Sequence, residues 1–344
     1  MLKSFALVAS FALVAPAFAQ EAVRVDQGAL VEAAVAQHIL PGFEALATTT
    51  QALSAAAETE CSPTSEPLRA AFHTAFDAWM GVSHLRFGPT EVDERAFGLA
   101  FWPDTKGFTP KALGRLIADE DPVIADATDF QTVSVAGRGF FALEQLLYDP
   151  RISTLGAADY HCALVRRVAA DIALSSGAIH TDWVNGFATL LTEPSEAGSY
   201  ETDAESLQVI YKALDSGLQF DAEVRLGRPL GSFDKPRPTR AEARRSGRSL
   251  RNVTVSTAAL AELAHILSSE SDTIRADYST AFALIQEQAT DLQNDPVFAG
   301  VKEVQGRFRV EILQQYINRA RGITTLELGP ALGVSAGFNA LDGD

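Results

Sequence analysis

Cysteine is scarce in this chain: only Cys61 and Cys162 occur in 344 residues, so one bridge is the most it can form. Basic residues are also few, 28 Lys and Arg against 44 Asp and Glu, which leaves a net charge of −16. So acidic a chain is poorly suited to nucleic acid or to an anionic lipid surface. Beyond residue 19, no run approaches the roughly 20 apolar residues that a membrane helix needs. No long alternation of apolar and polar residues suggests a sheet. The His-Glu-x-x-His and Gly-x-x-x-x-Gly-Lys signatures are missing as well.

What is present begins with an export signal. Lys3 gives a short positive start, Phe5 to Val14 are almost wholly apolar, and Ala17-Phe18-Ala19 forms a small-residue cleavage site before Gln20. Residues 1–19 therefore read as a secretory signal peptide, and the mature protein is expected in the periplasm or secreted, spanning no membrane. In an oxidising compartment an even cysteine count favours a Cys61–Cys162 disulfide, with two separate buried thiols as the alternative. Such a bridge closes a loop of about 100 residues and is worth at most roughly 4 to 5 kcal/mol.

Helical periodicity fills the rest. Gln27 to Glu60 is rich in Ala, Leu and Val, with Pro41 expected to kink or break it. Thr64 or Ser65 is placed to cap a second helix, with Pro67 in its first turn. That helix carries Leu68, Phe72, Ala75, Phe76 and Trp79 on one stripe and ends near Gly88-Pro89. Residues 90 to 130 read as short helices and loops, followed by a central helix over about 131–148 and stretches near 156–175 and 179–192. After a linker at Pro194 to Ser199 come helices near 203–220, 240–267, 270–292 and 298–320. The fold class is all-α: two tandem four-helix-bundle-like halves, 20–195 and 200–344. Leu85-Arg86-Phe87-Gly88-Pro89 and Leu326-Glu327-Leu328-Gly329-Pro330 echo one another, as an internal duplication would leave them, although Gly-Pro is also a common helix stop.

The chain is organised around Gly137 to Asp149. This helix is apolar almost all round, which implies burial against several neighbours. Glu144 sits in its middle, and a buried carboxylate needs hydrogen bonds or a positive partner, or it binds a proton. Gly137 and Gly139 permit close approach of a backbone or a ligand. Two roles fit Glu144 equally: an anionic anchor in a cleft between helices, or a structural carboxylate paired with an arginine.

Several stretches together resemble the imelysin family, which includes the iron-regulated protein A group. They are His38-Ile39-Leu40-Pro41, Ala78-Trp79, Arg86-Phe87-Gly88-Pro89, Phe101-Trp102-Pro103-Asp104, Gly139 to Glu144, Arg228-Pro229-Leu230-Gly231 and the ending Gly333 to Asp344. The resemblance implies an all-helical exported protein of two bundle-like halves, found in the periplasm or at the outer surface and linked to iron supply. The family is named for a proposed metallopeptidase activity with a Gly-x-His-x-x-Glu signature. Here that signature falls on Gly139, Phe141 and Glu144, with Phe141 where the family has histidine. Phenylalanine has no lone pair, so it neither binds a metal nor moves a proton. The departure counts against both metal binding and peptidase activity.

Other residues are weighed against plainer roles. Trp102, Asp104 and Arg86 are candidates to complete a pocket, though such a tryptophan more often simply packs. His38 precedes Pro41 and is turned inward toward the central helix if the chain kinks there. His73 and Asp77 share one helix face, a spacing that suits a metal but more commonly an ordinary charge pair. Arg240, Arg244, Arg248 and Arg251 fall on one face of a helix, read as a solvated face, with a local anion site or a partner for Glu144 or an acidic surface as the alternative. Within that stretch Arg245 to Ser249 is the portion expected to point into a cleft. The candidate ligand site is thus Glu144, Phe141, Gly139, Trp102, Asp104, Arg86, His38 and Arg245. The function expected is an exported binding or accessory protein serving iron or another nutrient. Its partner is a small ligand or metal, with iron as the candidate cofactor, or an envelope protein. A metallopeptidase is the alternative.

Overall fold

The computed structural model describes residues 25–334. The expected signal peptide at 1–19 and the end of the tail at 335–344 lie outside the described residues. Among the described residues the protein is all-α, with one isolated bridge between Ser232 and Lys235 in place of any strand. No described helix is long and apolar enough to cross a membrane.

In the first half, Gln27–Ala34 (α1) passes through a widened turn at Val35–Ile39 into Leu40–Thr59 (α2). Pro41 therefore neither breaks the helix nor leaves it regular. Proline lacks the N–H of a helical bond and its ring crowds the carbonyl four residues back. The wide turn, in which Leu40 N donates to Val35 O, absorbs that misfit. Glu66–Val82 (α3) starts from Ser65, whose hydroxyl accepts from Leu68 N at 3.3 Å. Short segments follow: Arg95–Leu99 (α4), Phe108–Asp119 (α5) and Ala127–Phe130 (α6). Gly139–Tyr148 (α7) and Ala158–Asp182 (α8) complete the half. α2 packs against α3 and α8, and α7 packs against α5 and α8. The stretches expected at 156–175 and 179–192 are one helix as far as Asp182, which reaches Ala188–Thr192 (α9) through a second wide turn.

The central helix starts later than its apolar pattern suggests. Arg138 is extended and Gly139 has φ +72°, so residues 131–138 form turns and a short 3-10 segment at Val135–Gly137 rather than α-helix. A side chain on Gly139 would meet the Gly98 carbonyl oxygen at 2.2 Å, so only glycine fits there. From Gly139 to Leu147 every residue is buried. Phe140 stacks on Phe76 of α3 at 4.8 Å between ring centres. Arg138 clamps the helix start to α8 through two bonds to Asp171, at 2.8 and 3.0 Å.

In the second half, Asp203–Gln219 (α10) leads through a wide turn at Phe220–Leu226 into Gly227–Leu230 (α11). Ser249–Leu267 (α12), Asp272–Asp291 (α13), Val304–Ile323 (α14) and Gly329–Leu332 (α15) follow. α13 packs between α12 and α14, and α10 touches both α12 and α14. At the two echoed Gly-Pro positions the backbones differ: Gly88 has φ +60° while Gly329 is helical.

The halves meet where α3 packs on α12 and α1 on α10. A buried charge cluster of the second half lies at that seam. Arg225 donates to Glu242 at 2.9 Å, to Asp221, and to Ser256 at 3.0 Å. It also reaches Ser83, beyond the end of α3, at 3.3 Å. Burial pushes the Asp221 carboxyl up to about 6, while the Arg225 charge pulls the other way. A buried charge stripped of its partner costs far more than the intact pair contributes, so this cluster holds the Phe220–Leu226 turn against α12 and presents Arg225 to Ser83.

Cys61 and Cys162 form a disulfide, Cα atoms 5.1 Å apart, that ties the end of α2 to the first turns of α8. We expect the Cys61→Ser, Cys162→Ser double variant to lose up to about 4 kcal/mol of stability in denaturant unfolding. An unchanged midpoint would show that the loop was already constrained in the unfolded chain.

Candidate functional site

Glu144 lies one and a half turns into α7, with its side chain turned away from α8 toward the second half. It is 2% exposed. Its Oε1 accepts from Ser246 twice, from the backbone N–H at 2.9 Å and from the hydroxyl at 2.8 Å. Burial raises the Glu144 carboxyl pKa; the two Ser246 bonds and the Arg245 charge oppose this without cancelling it. The arginine-paired role for Glu144 is therefore not what the geometry gives: a serine holds it, and the nearby Arg245 is engaged by Asp149 at 2.6 Å. That guanidinium, with help from Arg151, draws Asp149 down to about 2.

Ser246 can reach Glu144 because the basic stretch is not helical where a helix was expected. Ala243 has φ +44° and Gly247 φ +75°, so residues 241–248 fold as turns and α12 begins only at Ser249. The reading of Arg240 to Arg251 as one solvated helix face fails with it. Arg248 is 1% exposed, lies over Phe76 at 4.8 Å and donates to Asp77. Arg251 also donates to Asp77, at 2.8 Å. His73 and Asp77 do not form a pair with each other. His73 takes Arg248 on Nδ1 at 3.0 Å and Tyr148 on Nε2 at 2.9 Å. Since a guanidinium only donates, Nδ1 is the acceptor and Nε2 carries the proton. These arginines cement the halves together.

A cavity of about 160 Å³ opens beside Glu144. Of the expected site residues, Glu144, Phe141, Trp102, Asp104 and Arg245 line it. Trp102 stacks on Phe141 at 6.3 Å and meets Phe220 of the second half edge-on at 6.0 Å. Asp104 accepts from Phe108 N at 2.9 Å and Thr109 N at 2.8 Å, which caps α5 and lowers its pKa against the cost of burial. Gln145, Arg228 and Arg240 also line the cavity. Arg228 sits over Trp102 at 5.7 Å.

Three expected residues lie elsewhere. Gly139 serves the close approach to α4. Arg86 is half exposed, bonded to Glu91 at 2.7 Å. His38 does turn inward, but not toward α7: its Nε2 is 3.0 Å from Nε2 of the buried His84, and its Nδ1 3.6 Å from Glu262 of α12. Ser246, Gln145 and Arg240 were not singled out from sequence as ligand contacts. Ser246 lay within the portion read as pointing into a cleft, and Gln145 adjoins Glu144, so adjacency was the available signal.

The donors at this cavity do not suit a divalent metal. Among the described residues no three His, Cys, Asp or Glu side chains converge as a metal set. Glu144 Oε1 and both Asp104 oxygens are already bonded, and three guanidiniums share the space. An iron cofactor at Glu144 is thus at odds with the walls around it.

The raised Glu144 pKa has a definite sign for stability. The folded carboxyl holds its proton more tightly than the unfolded one, whose ordinary value is 4.5. Ionisation therefore costs stability that is absent below that value and accumulates as pH rises to the folded pKa. Glu144→Gln keeps an acceptor for Ser246 and cannot ionise. The variant should gain stability relative to the parent as pH is raised from about 4 to about 8, by denaturant unfolding. A constant difference across that range would mean the carboxyl is not desolvated.

The imelysin family model matches residues 39–322. The fold is similar to the crystal structure of an imelysin-like protein from Psychrobacter arcticum 273-4, with TM-score 0.76 and 19% identity over 91% of this chain and 97% of that one. It is also similar to a putative iron-regulated protein A precursor from Parabacteroides distasonis, with TM-score 0.73 and 14% identity over 89% of this chain and 94% of that one. No curated protein matches the chain. With the family model spanning most of the sequence, over a helical fold shared with both structures, the chain belongs to the imelysin family.

Proposed function

We propose that this imelysin-family member is an exported binding or accessory protein that takes a small ligand into the cleft around Glu144, in the service of iron or another nutrient. One observation carries the reading. Glu144, held by a serine from the other half, and the buried Gln145, whose Oε1 has no partner among the described residues, line the same cavity. A structural carboxylate needs no such space, and an unmet buried acceptor costs about 1 to 3 kcal/mol unless something binds it. Shifted acids of this kind concentrate at functional sites.

Export is supported by the signal-like residues 1–19 and by the precursor designation of the Parabacteroides distasonis relative. The tie to iron rests on that relative's iron-regulated designation, which belongs to that protein. The metallopeptidase reading has weaker support, because Phe141 packs its ring on Trp102 where an imidazole would be needed.

Two measurements test this. Intact mass of the protein recovered from its native envelope should correspond to a chain starting at Gln20; a full-length product kept inside the cell contradicts export. Titration with ferric iron, haem and small anions should reveal a ligand bound in the micromolar range. Glu144→Gln, which removes a charge from the cleft wall, should change its affinity at least about tenfold. Absence of any ligand, or indifference to the substitution, contradicts the cleft.

A further inference from the structure

In the walls of this cleft three carboxylate oxygens are occupied, and two basic side chains are left over. Glu144 Oε1 is taken by Ser246, and the Asp104 oxygens by backbone N–H groups of α5. Arg245 is matched by Asp149. Arg228 and Arg240 have no such match: among the described residues no hydrogen bond or ion pair engages either guanidinium. Arg228 Nε is buried and unpartnered. Burial and the neighbouring Arg240 charge both push the Arg228 pKa down, the mark of two like charges facing a space with no counter-ion. Among the described residues Gln145 Oε1 is a buried acceptor with no partner; the residue is 95% buried and lines the same cavity.

Resting on the cleft reading above, we propose that the ligand is a small carboxylic acid bearing a hydrogen-bond donor next to its carboxylate, as in a hydroxy acid or an amino acid. Arg228 and Arg240 take the carboxylate, and Gln145 Oε1 takes the adjacent O–H or N–H. Trp102, already under Arg228, provides the floor.

The chemistry selects among anions. A carboxylate brings one charge and two in-plane acceptors, which match the guanidinium fork. A dianionic phosphate would bring its second charge against Glu144 and Asp104 on the opposite walls. The size agrees, since a cavity of about 160 Å³ has room for a small acid. The same leftover donors explain why a metal cation is disfavoured here.

The test uses the full mature chain with glycolate and glycine as probes. Acetamide and inorganic phosphate serve as uncharged and multiply charged comparisons, and ferric iron as a cation. Calorimetry is paired with tryptophan fluorescence; Trp79 and Trp183 are buried, so a response lost in Trp102→Phe belongs to the cleft. Glycolate and glycine should bind at millimolar or lower concentration, and phosphate and acetamide should not. Arg240→Gln, at an exposed position, should weaken binding at least about tenfold with no change in unfolding midpoint. Gln145→Leu should weaken glycolate more than acetate, which lacks the donor. If acetamide, phosphate or iron binds and the carboxylates do not, the acid proposal is overturned while the cleft remains. Carboxylate binding indifferent to Arg240→Gln overturns it equally. If no probe binds at all, both readings fall together.

Discussion

A single carboxyl group under a serine from the other half of the chain sets the geometry of the junction. Glu144 stands on α7, the most deeply buried helix of the first half, and Ser246 on the turn that precedes α12 of the second. Arg138 and Asp171 hold the start of α7, and Asp149 and Asp77 anchor Arg245 and Arg248 on either side of Ser246. Both anchors belong to the first half. The turn is therefore stitched down at three successive points, and the space left beside it is the cleft.

This arrangement gives the fold and the site one cause. Charges buried at a seam contribute little net stability compared with apolar packing, but breaking one of them is costly. They penalise any docking of the halves other than the one that satisfies them. In this protein Arg245 is committed to Asp149 and Asp104 to the start of α5, which leaves Arg228 and Arg240 to meet a ligand. Such preorganisation reduces the ordering cost of binding.

The helical fold was legible in the sequence because its signals are local. Ser65 before Pro67, the stripe through Phe72, Phe76 and Trp79, and the apolar run of α7 each announce themselves within a few residues. So did the acid group in an apolar helix at Glu144 and the aromatic segment around Trp102. The arginine stretch was not legible. Arg240, Arg244, Arg248 and Arg251 recur at helical spacing, yet Ala243 and Gly247 adopt left-handed backbone and cancel the helix. Nothing local signals this, because the partners that reward it, Asp77 and Asp149, are about a hundred residues or more away in sequence. His38 shows the same limit: its inward turn was expected only from a kink at Pro41, and neither its burial nor its partner His84 is signalled locally. Pro41 misled in the other direction, since a widened turn accommodates a proline without ending the helix.

The claim at the centre is that Glu144 is a desolvated acid clasped by Ser246. Carbon-13 NMR of glutamate-labelled protein, with the Glu144 carboxyl assigned by its loss in Glu144→Gln, reads this directly. The titration midpoint should lie above 4.5 in the parent and move further up in Ser246→Ala, which removes one of the two bonds that favour the anion. A midpoint at the ordinary value, unmoved by Ser246→Ala, would mean that the carboxyl is solvated and that the second half does not close over it.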